Sequence, residues 1–132
     1  MAYLKPGTIT QKLFNPLTMR LGIYGTTALT VAGRKTGRPC RVPVIPFDHA
    51  GARYVVSTRG ESEWVRNLRA AGQGELARKG SVTRFRAVEL PVDERPPLIA
   101  AYRKVAGREV NGYFRQLPDP ADHPTFRLDP LD

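Results

Sequence analysis

Between two short hydrophobic runs, residues 28–32 and 42–47, the chain reads Gly33-Arg34-Lys35-Thr36-Gly37-Arg38-Pro39-Cys40-Arg41. That is four cations in nine residues, with two glycines, one proline and no acid. Strand-like runs on either side make it a hairpin connection, and the glycines supply the positive φ that a tight reversal needs. Glycine also lets a ligand approach the backbone, and free N–H groups in such a turn form a concavity for anions. Arginine adds forked donors, and lysine a compact point charge. Two readings follow: a grip for a multiply charged anion, or a solvated turn whose charges serve solubility.

The wider charge pattern favours the first. The chain carries 21 basic and 12 acidic residues, a formal +9. No acid occurs before Asp48, whereas seven bases do, and the C-terminal end carries Asp119, Asp122, Asp129 and Asp132. One surface should therefore be cationic and attract an anionic partner.

At 132 residues, 41% of them hydrophobic, the chain reads as a single domain, with a helical segment over 1–25 and a core over 26–132. The lone Cys40 excludes an intrachain disulfide framework and a cysteine-built zinc cluster. No apolar run approaches the ~18 residues of a membrane span, and the first residues lack the apolar centre and cleavage site of a secretory signal. A cytoplasmic location is expected. Residues 8–24 predict a basic amphipathic helix interrupted by Pro16, with Ile9, Leu13, Phe14, Leu17 and Leu21 on one side. It suits packing on a sheet, pairing with a second subunit, or peripheral contact with an anionic membrane.

From residue 28 the pattern is of strands. They are expected at 28–32, 41–47 and 53–58, with a turn at 48–51. Pro43 and Pro46 place the second strand at an edge or a bulge. A helix is expected at 63–71, with Ser62 as its cap and Gly72 and Gly74 ending it. A hairpin over 75–78 and 82–90 follows, then a helix over 93–106 with Leu98, Ile99, Tyr102 and Val105 on one face. A last strand is placed at 123–128. About six antiparallel strands with few helices give an α+β fold, a small barrel flanked by helices.

Gly33-Arg34-Lys35-Thr36 is not a nucleotide-triphosphate loop, because Arg34 intervenes before the lysine and a proline-bearing strand, not a helix, follows. His49 and His123 have no partners that spacing can identify, and no metal-ligand spacing occurs. A catalyst so poor in nucleophiles and acid–base groups would draw its chemistry from a cofactor. The second informative stretch is Trp64-Val65-Arg66-Asn67-Leu68-Arg69-Ala70. Trp64 and Asn67, three apart, share a helical face, where they either belong to the core or hold a flat, heteroatom-rich ring.

The run from Leu29 to Pro39, a strand with Pro43, then Tyr54-Val55-Val56-Ser57 and Trp64 to Ala70 together resemble the deazaflavin-dependent nitroreductase and quinone reductase family. The likeness extends over residues 8–128 and implies a split β-barrel like those of flavin reductases and FMN-binding proteins. It implies coenzyme F(420), an 8-hydroxy-5-deazaflavin with a phosphodiester and an oligoglutamate tail. It further implies that Arg34, Lys35 and Thr36 hold the phosphate or tail, that Gly37 admits the backbone, and that Arg38 and Arg41 extend the cationic track. Ser57, Thr58 and Arg59 would line the ring, and Trp64 and Asn67 would close its pocket. Tyr102 and Tyr113 would stand on the substrate side, one of them a candidate proton donor. Cys40 stands where the family often has arginine, and strand alternation sends Arg41 to the opposite face.

The expected activity is hydride transfer from the reduced deazaflavin to a small electrophile, such as a quinone, nitroaromatic or activated alkene. The rivals are an FMN- or other anion-binding carrier or sensor on the same fold, and a basic nucleic-acid-binding module. The last is disfavoured because no aromatics interleave with the basic residues of the hairpin. Split barrels commonly pair so that a second chain completes the pocket, so a homodimer and a monomer both remain open.

Overall fold

Proline decides how the sheet closes. Pro39, Pro43 and Pro46 cannot donate ladder hydrogen bonds, which confines their strand to an edge. In the computed structural model, which describes residues 26–131, the expected strand 41–47 is split in two. The strands are β1 (Thr27–Ala32), β2 (Pro39–Val44), β3 (Phe47–His49), β4 (Ala52–Val56), β5 (Gln73–Arg78), β6 (Ser81–Glu89) and β7 (Thr125–Pro130). They form one sheet in the order β2-β1-β5-β6-β7-β4-β3, every adjacent pair antiparallel. Its two edges, β2 and β3, are consecutive in the chain and joined only by Ile45 and Pro46. The sheet is thus curled into an α+β split barrel of seven strands.

Among the described residues three α-helices accompany it: α1 (Glu63–Ala71), α2 (Pro96–Ala106) and α3 (Asn111–Gln116). The expected N-terminal helix, with its membrane-contact reading, lies outside the described residues. None of the described helices is long and apolar enough to cross a membrane.

Two clusters of apolar side chains divide the interior. Leu29, Val31, Leu76, Phe85, Phe126, Leu128 and Val55 face one another across the curled sheet, and α1 sets Val65 and Leu68 among them. Both are fully buried, each burial stabilising by about 1.5–3 kcal/mol. Gly72 stops α1 in the left-handed conformation, φ 72°, and its N–H donates to the Leu68 carbonyl. Ser62 occupies the N-cap position, but its hydroxyl does not cap the helix.

The second cluster lies on the other face of β3 and β4. Phe47 and Val56 pack there against Leu98, Ile99 and Tyr102 of α2 and Phe114 of α3. Val105, expected on the buried face of α2, is instead 54% exposed. The stripe continues to Ala106, one helical turn beyond Tyr102, which packs on the cluster. Since Val55 faces one cluster and Val56 the other, β4 is covered on both sides. Its C-terminal end opens where the clusters meet.

Candidate active site

That junction is a pocket. Ser57, Thr58 and Arg59 leave the end of β4, Pro43 and Val44 come from the end of β2, Ile45 from the link between the sheet edges, and Trp64 from α1. Tyr102 reaches in from α2, Glu109 and Val110 from the turn before α3, Tyr113 from α3, and Thr26 from just before β1. The cavity measures ≈ 70 Å³ and opens to solvent at its mouth.

Hydrogen bonds fix the wall made by residues 57–60. The Ser57 N–H donates to the Pro124 carbonyl at 2.9 Å, and the Ser57 hydroxyl to the Gly60 carbonyl at 2.5 Å. The hydroxyls of Thr58 and Tyr102 share a hydrogen bond of 2.5 Å, which ties β4 to α2. Tyr102 is buried, and burial pushes its phenol up to about 12, the Thr58 bond and nearby Arg59 pulling weakly the other way. It is therefore an un-ionised phenol at neutral pH. Among the described residues, one polar atom in this lining has no partner: the Thr26 hydroxyl, on a residue 1% exposed. A buried hydroxyl left unpaired costs about 1–3 kcal/mol unless a ligand supplies the missing bond.

The cationic segment folds as a turn closed on itself. The Gly33 N–H donates to the Arg38 carbonyl and the Gly37 N–H to the Gly33 carbonyl, each at 2.8 Å, while the Arg38 N–H donates to the Thr36 hydroxyl. Gly37 adopts φ 75°, which explains the glycine there. The Lys35 and Thr36 N–H groups have no hydrogen-bond partner among the described residues, nor do the side chains of Lys35 and Arg41 form a close ion pair there, although the Lys35 charge acts on Glu63. Arg38 is likewise without a carboxylate.

Arg34 behaves differently. Its N–H and Nη1 both donate to Oδ1 of Asn67, at 3.1 and 2.8 Å, and Nη2 pairs with Glu63 at 2.9 Å. The Arg34 guanidinium in turn holds the Glu63 carboxyl below its usual range. Asn67, buried on α1, therefore anchors the turn and does not line the pocket.

The expected residues thus gather into two groups. Ser57, Thr58, Arg59, Trp64, Tyr102 and Tyr113 share the pocket, whereas Arg34, Lys35, Thr36, Gly37 and Arg38 share the turn and Arg41 follows on β2. Helix α1 links the groups, because Trp64 lines the pocket while Glu63 and Asn67 hold Arg34. Register pairs Cys40 with Val31 and Arg41 with Thr30, so these neighbours occupy opposite faces. Thr26, Glu109 and the apolar residues 43–45 are pocket members that the sequence reading did not single out. None has a local motif, and only the path of the chain between the sheet edges brings them together.

The family model described as F420H(2)-dependent quinone reductase matches residues 8–116. The chain belongs to this family. Membership makes it an oxidoreductase of the deazaflavin-dependent kind. No curated protein matches the chain by sequence. Among solved structures, an F420-H2 dependent reductase, FDR-A, is 21% identical, with 80% of this chain and 94% of that one covered at a TM-score of 0.55. The heme storage protein HutZ from Vibrio cholerae is 16% identical, with 91% of each chain covered and a TM-score of 0.63. A chain described as a domain-swapped dimer is 19% identical, with 95% of this chain and all of that one covered at 0.57. At these identities the likeness concerns the fold, which the family member shares with proteins of different printed function.

Proposed function

We propose that this protein passes hydride from reduced coenzyme F(420) to a quinone or a comparable flat electrophile, with the deazaflavin ring in the pocket and the phosphate and oligoglutamate tail along residues 33–41. The observation that carries this reading is the coupling of two unlike sites through one helix: an aromatic-walled pocket at Trp64 and a cationic turn fastened to Glu63 and Asn67. A molecule with a planar ring at one end and several negative charges at the other is what such a pair accommodates.

The residues suit the group. The Thr26 hydroxyl, unpaired among the described residues, offers a hydrogen bond to a ring heteroatom, and Trp64, Tyr102 and Tyr113 supply aromatic wall. Lys35, Arg38 and Arg41, in no ion pair among the described residues, are cations for phosphate and carboxylates, with the N–H groups of Lys35 and Thr36 beside them. When bound, the reduced deazaflavin supplies a hydride from its C5 carbon. The protein's share is positional. The Ser57–Gly60 and Thr58–Tyr102 bonds hold one wall rigid, and apolar residues 43–45, at the end of β2 and just beyond it, keep water from the reacting faces. The Tyr102 hydroxyl, un-ionised at neutral pH, keeps a proton next to the acceptor side, and Tyr113 and Glu109 complete that side.

Oxidation of reduced coenzyme F(420), followed by the return of its visible absorbance, tests the proposal. A soluble naphthoquinone should accelerate it in the presence of the protein. Dependence on reduced FMN with no response to the deazaflavin would refute it. FMN has one phosphate and no glutamates, fewer charges than the turn provides for.

A further inference from the structure

A second cavity borders the cationic turn. It measures ≈ 510 Å³ and opens widely to solvent, against ≈ 70 Å³ for the pocket at Trp64, and the two share no lining residue. Gly37 and Pro39 of the turn form one side of it.

Strand register explains its floor. Directly opposed residues of antiparallel strands share a face of the sheet. Arg41 of β2, Thr30 of β1, Glu75 of β5 and Arg84 of β6 therefore make one row across four strands. Their chain neighbours Leu29, Val31, Leu76 and Phe85 point the other way, into the core, so the row faces outward. Thr30, Glu75 and Arg84 line the cavity, and Arg41 continues the row on the edge strand. Glu75 and Arg84 stand opposite each other, both exposed, yet they form no ion pair among the described residues.

We propose that this groove is a second binding site, which takes glutamyl units of the cofactor tail beyond the phosphate, and that Arg84 makes affinity depend on tail length. The proposal rests on the deazaflavin reading above. Each glutamyl unit brings a carboxylate and an amide N–H. Arg84 offers forked donors to the carboxylate, while Glu75 and the Thr30 hydroxyl offer acceptors to the N–H. A nucleic-acid backbone has phosphates without such donors, and Glu75 would only repel it. Arg38 and Arg41 lead from the turn to the groove, so three cations face one acid along this path. Three interstrand spacings separate Arg41 from Arg84, about 14 Å. At about 3.5 Å per extended residue, one glutamate does not span that distance and six do.

Two titrations decide this. In the first, affinity at low salt is measured for coenzyme F(420) carrying one glutamate and carrying six. The unaltered protein should bind the longer tail about threefold tighter, the yield of one exposed ion pair. Arg84→Ala should abolish that preference and leave the one-glutamate affinity unchanged. Lys104→Ala, which removes an equal charge outside the groove, should keep it. A preference that survives in Arg84→Ala, or falls equally in Lys104→Ala, overturns the site, since net charge alone would then account for it.

The second titration adds free hexaglutamate, with the linkage of the tail and no ring, to ¹⁵N-labelled protein. The backbone N–H signals of Thr30, Glu75 and Arg84 should shift, and shifts confined to residues 33–41 would contradict the groove. If neither form of the cofactor binds but those signals still shift, the deazaflavin reading falls and the groove stands as a site for acidic chains.

Discussion

Asn67 receives two hydrogen bonds from Arg34 on a single oxygen, one from the backbone N–H and one from the guanidinium, across 33 positions of sequence. The tip of a hairpin is normally its most mobile part. Here the tip is fastened to a helix whose Val65 and Leu68 are fully buried, so the cationic turn takes its position from the core.

Asn67→Ala should therefore destabilise the fold by about 1–2 kcal/mol, since it leaves a part-buried backbone N–H and part of the guanidinium without their acceptor. Chemical denaturation would measure it. A substitution without effect on stability would show that the turn holds its place by itself.

The uncommitted cations make a different prediction. Lys35→Ala with Arg38→Ala should leave stability nearly unchanged, because neither side chain has a carboxylate partner among the described residues. It should weaken deazaflavin binding by roughly 5- to 30-fold, about 1–2 kcal/mol for two exposed charges. The loss should shrink as salt is added. Arg34 is the poorer choice for this experiment, because removing it also frees the turn from α1.

Tyr102 gives the fold a dependence on alkaline pH. Its phenol is pushed from 10.0 to about 12, chiefly by burial. Between those values the unfolded chain releases the proton while the folded chain retains it. Stability is thus fully present below the lower value and falls as pH rises through the window, by up to about 3 kcal/mol. Tyr102→Phe should remove that part of the decline and cost about 1 kcal/mol at neutral pH through the widowed Thr58 hydroxyl. Urea titrations of both proteins on either side of the window test it.

Much of the strand plan could be read locally. Gly72 ends α1 where composition says a helix should stop, and the Lys79-Gly80 turn joins two alternating runs. The split at Ile45 and Pro46 was legible only as an edge or a bulge, because closing a barrel depends on where the far edge lies. The same limit explains Asn67. Its spacing from Trp64 is visible in sequence, but which partner consumes its oxygen depends on a turn 33 residues away. His123 is the extreme case. A histidine between Asp122 and Pro124 carries no local signal, and the carbonyls that its ring nitrogens meet, those of Ser57 and Leu117, lie 66 and six positions away. The pocket residues before β1 and in the edge-to-edge link were hidden for the same topological reason.

The central claim is that ring and tail of one cofactor are recognised at two sites joined by α1. Calorimetric titration with coenzyme F(420) and with the same deazaflavin lacking phosphate and glutamates tests it most directly. The complete cofactor is expected to bind with micromolar or tighter affinity at low salt, and the tail-less ring more weakly by tenfold or more. Equal affinity for the two, or no heat from either, would contradict it.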